Sequence, residues 1–174
     1  MSPGRRELLI LGGAAGVAAV AGGVVGALAL QSQSGAAELL SAAFPDPAGR
    51  PFRLSQWQGR PLVCNFWASW CEPCREELPL LEVAQRQYAS IGLQIVGIAV
   101  DNASNVREFL KTVKISYPVL IANIGAIDLM RRLGNRSGVL PFTVAVDSAG
   151  RLRQRKLGAY SAAGLQKELA ALLR

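Results

Sequence analysis

Two cysteines separated by two residues, Cys71 and Cys74, are the side chains of this sequence best suited to covalent chemistry. A thiolate is the nucleophile in thiol–disulfide exchange, so one sulfur can attack a partner's disulfide and the second can then release that partner. A separation of three positions brings the two side chains together across one helical turn, so the dithiol can close into a disulfide. The spacing therefore predicts a redox-active pair.

The segments around the pair predict how it is held. Residues 62–68 form an apolar run typical of a strand buried on both faces, and residues 71–88 have the amphipathic pattern of a helix. Free backbone N–H groups at the start of that helix would stabilise a thiolate on Cys71, which we assign as the nucleophile. Cys74, one turn inside, is assigned as the resolving thiol, and Pro73 suits the first helical turn. A strand that delivers Cys-x-x-Cys to a helix start is typical of a thioredoxin-like redox site.

The composition excludes several other chemistries. The chain has 174 residues, a formal net charge of +7, three cysteines and no histidine. The lack of histidine excludes histidine bases and histidine-ligated metals, and a zinc site would need two ligands beyond the cysteine pair, while only Cys64 remains. We therefore expect no metal. We expect Cys64 to be an inert part of the core, with a redox role as the alternative.

The basic residues are scattered along the chain, and the densest cluster is Arg151, Arg153, Arg155 and Lys156. Alternate basic residues on a strand indicate one solvated face of a hairpin. A surface for an acidic partner is the alternative, and we expect no nucleic-acid binding.

The amino-terminal segment predicts membrane attachment or export. Residues 8–30 carry no charge and are long enough to span a bilayer as a helix, which makes a retained signal anchor one interpretation. The other is a twin-arginine-like signal peptide that begins at Arg5 and Arg6 and is cleaved after about Ala29. Both place the folded part in the periplasm or outside the cell, where disulfides persist. The predicted division is a basic end (1–7), an anchor or signal (8–30), a linker (31–43) and a folded domain (44–174).

Periodicity and turn residues divide the folded domain into alternating elements. Proline and glycine in residues 44–54 indicate a hairpin at a sheet edge, and Ser55 would cap a short helical turn that ends near Gly59. A parallel first half followed by an antiparallel hairpin predicts an α/β fold. The predicted strands are 62–68, 93–100, 117–121, 143–146 and 152–157, and the predicted helices are 71–88, 104–111, 127–133 and 161–173, the last capped by Ser161.

Two stretches resemble the TlpA/ResA-type thiol–disulfide oxidoreductases, which are membrane-linked proteins of the bacterial envelope. Residues 65–79 resemble the active-site block of that family, and residues 138–143 resemble its cis-proline loop. The resemblance implies a thioredoxin-like fold with a central mixed β-sheet flanked by helices and an extra N-terminal β-hairpin. It also implies a cis bond between Leu140 and Pro141, on a loop that faces the cysteine pair and contacts the client.

Further side chains are expected to tune the site or to contact a client. Glu72 and Glu77 would raise the pKa of a nearby thiolate, which favours a reductant. The resemblance assigns Glu77 a role in proton management, and an ordinary solvated helix residue is the alternative. Trp70 is expected to shield the site. Asn65 stands where many thioredoxins carry a buried Asp that shuttles a proton, so that role would pass to another group. The residues expected to bind the client are Trp70, Pro73, Leu140 and Pro141.

The resemblance implies a reductase that returns disulfides of envelope proteins to thiols. The expected clients are apocytochrome c or copper-site assembly proteins, and the expected electron donor is a membrane protein of the DsbD/CcdA type. The cysteine pair replaces any cofactor, and we expect a monomer. An oxidase or isomerase of the same fold is the first alternative. A peroxide-reducing enzyme would need an activating Arg and Thr beside one cysteine, and no such pattern is present. The intact pair disfavours a non-catalytic binding module, and the lack of histidine disfavours a copper carrier.

Overall fold

The computed structural model describes residues 35–174, and its strands and helices follow the predicted order. The ends of the predicted strands and helices from residue 62 onward differ from the observed ones by at most two residues. The strands are β1 (Ala43–Pro45), β2 (Pro51–Arg53), β3 (Leu62–Trp67), β4 (Gln94–Ala99), β5 (Val119–Ile121), β6 (Phe142–Val146) and β7 (Leu152–Leu157). The helices are α1 (35–41), α2 (Glu72–Tyr88), α3 (Ala103–Leu110), α4 (Ala126–Arg132) and α5 (Ala162–Leu172).

Five strands form one mixed sheet in the order β5-β4-β3-β6-β7. Strand β3 pairs parallel with β4 and antiparallel with β6, β4 pairs parallel with β5, and β6 and β7 form the antiparallel hairpin at the end of the chain. The predicted combination of a parallel first half and an antiparallel second half is therefore confirmed. Strand β3 is the middle strand of the sheet. The turn that follows it therefore lies between the end of β4 and the start of β6.

The central strand buries both of its faces, as its continuous apolar run predicts. All six residues of β3 are buried. Because side chains alternate along a strand, Val63 and Trp67 join the apolar cluster that contains the cysteine pair, whereas Cys64 and Phe66 join the cluster on the opposite face. Cys64 is thus separated from the cysteine pair by the sheet itself, and burial raises the pKa of its thiol. This placement supports the inert interpretation of Cys64.

The linker predicted for residues 31–43 is wrong in the part that the structure describes, because residues 35–41 form helix α1. Leu39 and Leu40 are buried against the cluster that contains Met130 and Leu133, and Glu38 forms an ion pair with Arg132. The segment combines Ala, Leu and Glu, which favour a helix, with an apolar pair that can pack. The small residues of this segment, which favoured the interpretation as a linker, therefore belong to a packed helix.

One of the two predicted caps is wrong, and one predicted helix start is displaced. The 3₁₀ turn Leu54–Trp57 begins without a side-chain cap, so Ser55 does not have the predicted role. Helix α3, predicted to begin at residue 104, begins at Ala103 and is capped by Asn102, whose side chain accepts a hydrogen bond from the N–H of Asn105. Ser161 caps α5 as predicted, by accepting a bond from the N–H of Gly164.

The predicted N-terminal hairpin is present as a separate two-stranded sheet of β1 and β2, in which Phe44 lies opposite Phe52. The carboxylate of Asp46 closes its turn by accepting bonds from the N–H groups of Ala48 and Arg50, each 2.9 Å long. The hairpin therefore does not extend the five-stranded sheet by hydrogen bonds, but β1 lies beside its edge strand β5, and Phe44 and Phe52 pack against the apolar cluster that contains Leu120.

The basic cluster lies on the edge strand β7 and the turn before it. Arg151, Arg153 and Arg155 are exposed, as a solvated hairpin face requires. Lys156 points to the other side and lies 5.9 Å above the ring of Tyr160.

Among residues 35–174, no helix has the length and apolar character needed to cross a membrane. The predicted basic end, the anchor or signal segment and its cleavage point, and residues 31–34 of the linker all lie outside the described residues.

We predict that Gly97→Ala destabilises the fold by about 1–3 kcal/mol. A Cβ at this buried position would lie 3.0 Å from Trp67 Nε1 and 3.4 Å from Tyr117 Cε2. Gly125→Ala is the control: its φ is −62° and a Cβ there would meet nothing within 4 Å, so we expect no loss of stability. Urea unfolding of the oxidised protein measures both changes, and equal destabilisation would contradict the prediction.

Candidate active site

The cysteine pair lies at the N-terminus of α2, directly after the central strand. A turn follows β3, closed by a 3.2 Å hydrogen bond from the N–H of Cys71 to the carbonyl of Ala68. Cys71 is the N-cap of α2, and its sulfur accepts a hydrogen bond from the N–H of Cys74 at 3.3 Å. Pro73 lies in the first turn, where no backbone N–H is needed. The helix start therefore presents the free N–H of Cys74 to the sulfur of Cys71, as expected for a helix N-terminus.

Cys71 and Cys74 are joined in a disulfide, with an S–S distance of 1.99 Å and a Cα–Cα distance of 5.3 Å. The predicted pairing is confirmed. Cys71 retains 5 % of its surface exposed, whereas Cys74 retains none. Only a small part of Cys71 is therefore open to solvent, but it is the residue of the pair that a partner can reach.

The loop before β6 contains a cis bond between Leu140 and Pro141, as the resemblance implies. Leu140 is half-buried and packs against the apolar clusters on both faces of the sheet. Asn135, which the sequence interpretation missed, is fully buried and holds this loop: its side chain accepts from the N–H of Val139 at 3.1 Å and donates to the carbonyl of Val139 at 2.7 Å.

The two tryptophans near the site have different environments. Trp67 is fully buried and packs 5.4 Å from the ring of Phe109, which is a core role. Trp70 has 69 % of its surface exposed and lines a cavity of about 510 Å³ together with Ile124 and Leu140. Trp70, which was expected to shield the site, therefore projects into solvent and forms part of an exposed surface that a partner could contact.

Glu77 is buried, with 1 % of its surface exposed, so the alternative of a solvated helix residue is wrong. Its carboxylate accepts a hydrogen bond from the N–H of Tyr160 at 2.7 Å and one from Asn65 Nδ2 at 2.8 Å. Burial raises the pKa of Glu77, and these two bonds together with the charge of Lys156 only partly oppose the shift. The group is thus poised to hold a proton at a higher pH than an ordinary glutamate.

Asn65 connects Glu77 to the sheet. Its amide Nδ2 donates to Glu77 and also to the hydroxyl of Thr143 at 2.9 Å, which joins β3, α2 and β6 in one buried network. Asn65 Oδ1 is buried without a protein hydrogen-bond partner. The amide of Asn65, which cannot titrate, is therefore hydrogen-bonded directly to the carboxyl group of Glu77, which can.

The other predicted site residues, Glu72, Pro73 and Pro141, differ in their exposure to solvent. Glu72 is exposed in the first turn of α2, between the two cysteines, and its influence on a thiolate stays a prediction. Pro73 is exposed beside it, and Pro141 is buried under its loop. Across residues 35–174, no cluster of three or more His, Cys, Asp or Glu side chains is arranged to hold a metal ion.

A second residue that the sequence interpretation missed is Asp101, which follows β4 and is 8 % exposed. It accepts two hydrogen bonds from Ser69, which is in the turn before Cys71. An acidic residue at the carboxyl end of a central parallel strand is the only signal in the sequence that could have indicated this contact.

Proteins of known sequence and structure are similar to this chain. A family model described as Redoxin matches residues 34–173. The thiol-disulfide oxidoreductase ResA of Geobacillus thermodenitrificans is 28 % identical over 127 residues, which cover 71 % of this chain and 70 % of that protein. ResA of Bacillus subtilis is 32 % identical over 77 residues, which cover 44 % of this chain and 43 % of that protein. The crystal structure of a thiol:disulfide interchange protein of the thioredoxin family from Chlorobium tepidum is 30 % identical, with a TM-score of 0.66 over 77 % of this chain and 94 % of that one.

We predict that Glu77→Gln changes how stability depends on pH. The pKa of Glu77 is raised above its ordinary value of 4.5, so the folded protein holds this proton more tightly than the unfolded chain does. The stability that this group contributes is full below about pH 4.5 and is lost as the pH rises through the raised pKa. Relative to the variant, the wild-type protein should therefore lose free energy of unfolding across that window.

Urea unfolding of the oxidised proteins between pH 4 and pH 8 measures this difference. The control is Glu76→Gln, because Glu76 is a neighbouring but exposed carboxylate on the same helix. We expect Glu76→Gln to follow the wild-type pH dependence. A Glu77→Gln curve parallel to that of the wild type would contradict the assignment of the titrating group.

Proposed function

Because the chain belongs to the Redoxin family and has a thioredoxin-like fold, we propose that it is a thiol–disulfide oxidoreductase that reduces disulfides of client proteins outside the cytosol. The observation that carries the proposal is the bonded pair of Cys71 and Cys74 at a helix start, with only Cys71 reachable from solvent. The similar ResA proteins are themselves named thiol-disulfide oxidoreductases.

The proposed reaction passes two electrons from the protein to its client. The thiolate of Cys71 attacks one sulfur of the client disulfide, forms a mixed disulfide and expels the other client sulfur as a thiolate. The thiol of Cys74 loses its proton to the expelled client thiolate and attacks the Cys71 sulfur, which breaks the mixed disulfide, re-forms the intramolecular disulfide and releases the reduced client. A dithiol donor, proposed to be a membrane protein of the DsbD/CcdA type, then reduces the pair for the next cycle.

The carboxylates near the pair support the direction of electron flow. Strong oxidants of this fold work because their reduced form, with its thiolate, is stabilised. Here Glu72 lies between the cysteines, and the buried Glu77 lies one turn beyond Cys74. A negative charge on Glu72, and on Glu77 above its raised pKa, disfavours a thiolate and therefore favours the disulfide form and a reducing couple. An oxidase or isomerase remains the second candidate for a pair with the same connectivity.

The surface next to Cys71 supports a polypeptide client. Trp70 and Ile124 are exposed, and with Ile127, Met130 and Leu140 they line the cavity beside the turn that carries Cys71. Exposed apolar surface of this kind is typical of a contact site. We propose that it receives the residues that flank the client cysteine, in an extended segment such as that of apocytochrome c before haem attachment, or in a copper-site assembly protein.

The proposed location is the bacterial envelope, with a monomer tethered through its amino-terminal segment or exported after cleavage. This location follows from the apolar residues 8–30 and from the chemistry, because a redox disulfide of this kind works where disulfides form.

We predict that Cys74→Ser traps the client and that Cys71→Ser does not. With the resolving thiol removed, the mixed disulfide on Cys71 has no internal thiol to break it, so it accumulates. Covalent complexes isolated from cells under non-reducing conditions and identified by mass spectrometry measure the result.

The control for the trap is Cys64→Ala in the Cys74→Ser background, because Cys64 lies on the opposite face of the sheet. It should trap the same clients to the same extent. If Cys71→Ser captured those clients equally well, the roles assigned to the two sulfurs would be wrong.

We also predict a reduction potential more negative than about −200 mV, far from the about −120 mV of DsbA, together with turnover in an insulin-reduction assay. Equilibration with glutathione redox buffers measures the potential. A value near that of DsbA would favour the oxidase, and tight client binding without turnover would favour a binding module.

A further inference from the structure

The carboxylate of Asp101 connects the turn before Cys71 to the start of helix α3. Its Oδ2 accepts hydrogen bonds from the backbone N–H of Ser69 at 3.0 Å and from the hydroxyl of Ser69 at 2.6 Å. Its Oδ1 accepts from the backbone N–H of Asn102 at 2.7 Å and from Asn105 Nδ2 at 3.0 Å. Both carboxylate oxygens are therefore used, and each is directed to a different element.

Ser69 is a central residue of the turn that presents the reactive sulfur. The turn runs from Ala68 to Cys71 and is closed by a single backbone bond between those two residues, 3.2 Å long. Trp70, which lies between Ser69 and Cys71, is mostly exposed. The two hydrogen bonds from Ser69 to the Asp101 side chain thus attach this turn to the segment between β4 and α3.

Reduction changes what holds Cys71. In the disulfide form, Cys71 is bonded covalently to Cys74, which is itself buried in α2. When that bond is opened, the position of the Cys71 sulfur depends on the turn and on the hydrogen bonds of the helix start. We infer that Asp101 is a positioning residue that keeps Cys71 in its reactive place during the reduced half of the cycle, by holding Ser69. This inference rests on the exchange reaction proposed above.

The electrostatics of Asp101 support the geometry. Burial alone raises the pKa of this carboxyl, but the bonds from the Ser69 hydroxyl, Asn102, Asn105 and the Ser69 N–H outweigh it and lower the pKa overall. The carboxylate is therefore ionised, and hydrogen bonds to an ionised acceptor are shorter and stronger than neutral ones.

Asp101→Asn is the test, because the amide has one acceptor oxygen in place of two, so that in either orientation its NH₂ group meets a backbone N–H, that of Ser69 or that of Asn102, and one of the two attachments is lost. The readout is the rate at which the reduced full-length protein, in detergent solution, attacks the small disulfide 5,5′-dithiobis(2-nitrobenzoate). The rate is divided by the fraction of Cys71 thiolate, which the pH profile of iodoacetamide alkylation gives. We expect the rate per thiolate to fall about tenfold, since small misplacements of a nucleophile have large effects.

The matched control is Asp46→Asn. Asp46 is 8 % exposed, like Asp101, and accepts two backbone N–H bonds, but it closes the β1–β2 turn, which lines a cavity with Asn102 and makes no hydrogen bond to the turn that carries Cys71. It should lower stability while leaving the rate per thiolate within twofold of the wild type.

Ser69→Ala supplies a second, milder variant that keeps the charge of Asp101 and the backbone bond. We expect a smaller loss, and no loss beyond that of Asp101→Asn in the double variant, because both changes remove the same contact. If Asp101→Asn does not fold, Ser69→Ala alone tests the inference. For that variant we expect the rate per thiolate to fall about threefold.

Three results would overturn the inference: an unchanged rate per thiolate in both variants, a change confined to the thiolate fraction, or an equal loss in Asp46→Asn. A wild-type protein that shows no exchange with any disulfide would instead contradict the proposed function itself. The two failures are therefore distinguishable.

Discussion

The hydrogen bond from the N–H of Cys74 to the sulfur of Cys71 is the contact on which the site depends. It places the reactive atom at the positive end of α2, where a developing negative charge is stabilised without any cation. The bond exists only because Cys71 ends a tight turn and begins a helix. The central strand, the turn and the first turn of α2 must therefore keep one relative arrangement through both redox states.

Two buried carboxyl groups lie near this contact, and their surroundings shift their pKa values in opposite directions. Asp101 accepts four hydrogen bonds from two elements, which outweigh the effect of burial. Glu77 accepts two, and burial dominates. The first group is suited to holding the turn as a fixed charge, and the second is suited to holding and releasing a proton beneath the pair. The same kind of side chain thus has two roles, decided by the number of donors around it.

Much of the fold could be predicted because the relevant signals are local. The run of buried residues in β3, the amphipathic pattern of α2 and the turn residues of the β6–β7 hairpin each depend on neighbours along the chain. The errors arose where a local pattern fits two outcomes. Residues 35–41 have the small-residue composition of a linker and also an apolar pair that packs against α4. At α3, the position of the helix start, and with it the cap Asn102, depends on where the preceding strand ends.

By itself, the sequence determined the chemistry of the site: a dithiol with helical spacing and no histidine. It also placed the third cysteine, Cys64, on a strand whose continuous apolar run predicts that both faces are buried. Only the tertiary structure decided the environment of each group. It buried Glu77 against Asn65, exposed Trp70, and brought Asp101 and Ser69 together although 32 positions separate them in the chain. The physical reason is that residue type and spacing are local properties, whereas desolvation and hydrogen-bond partners depend on which elements pack together.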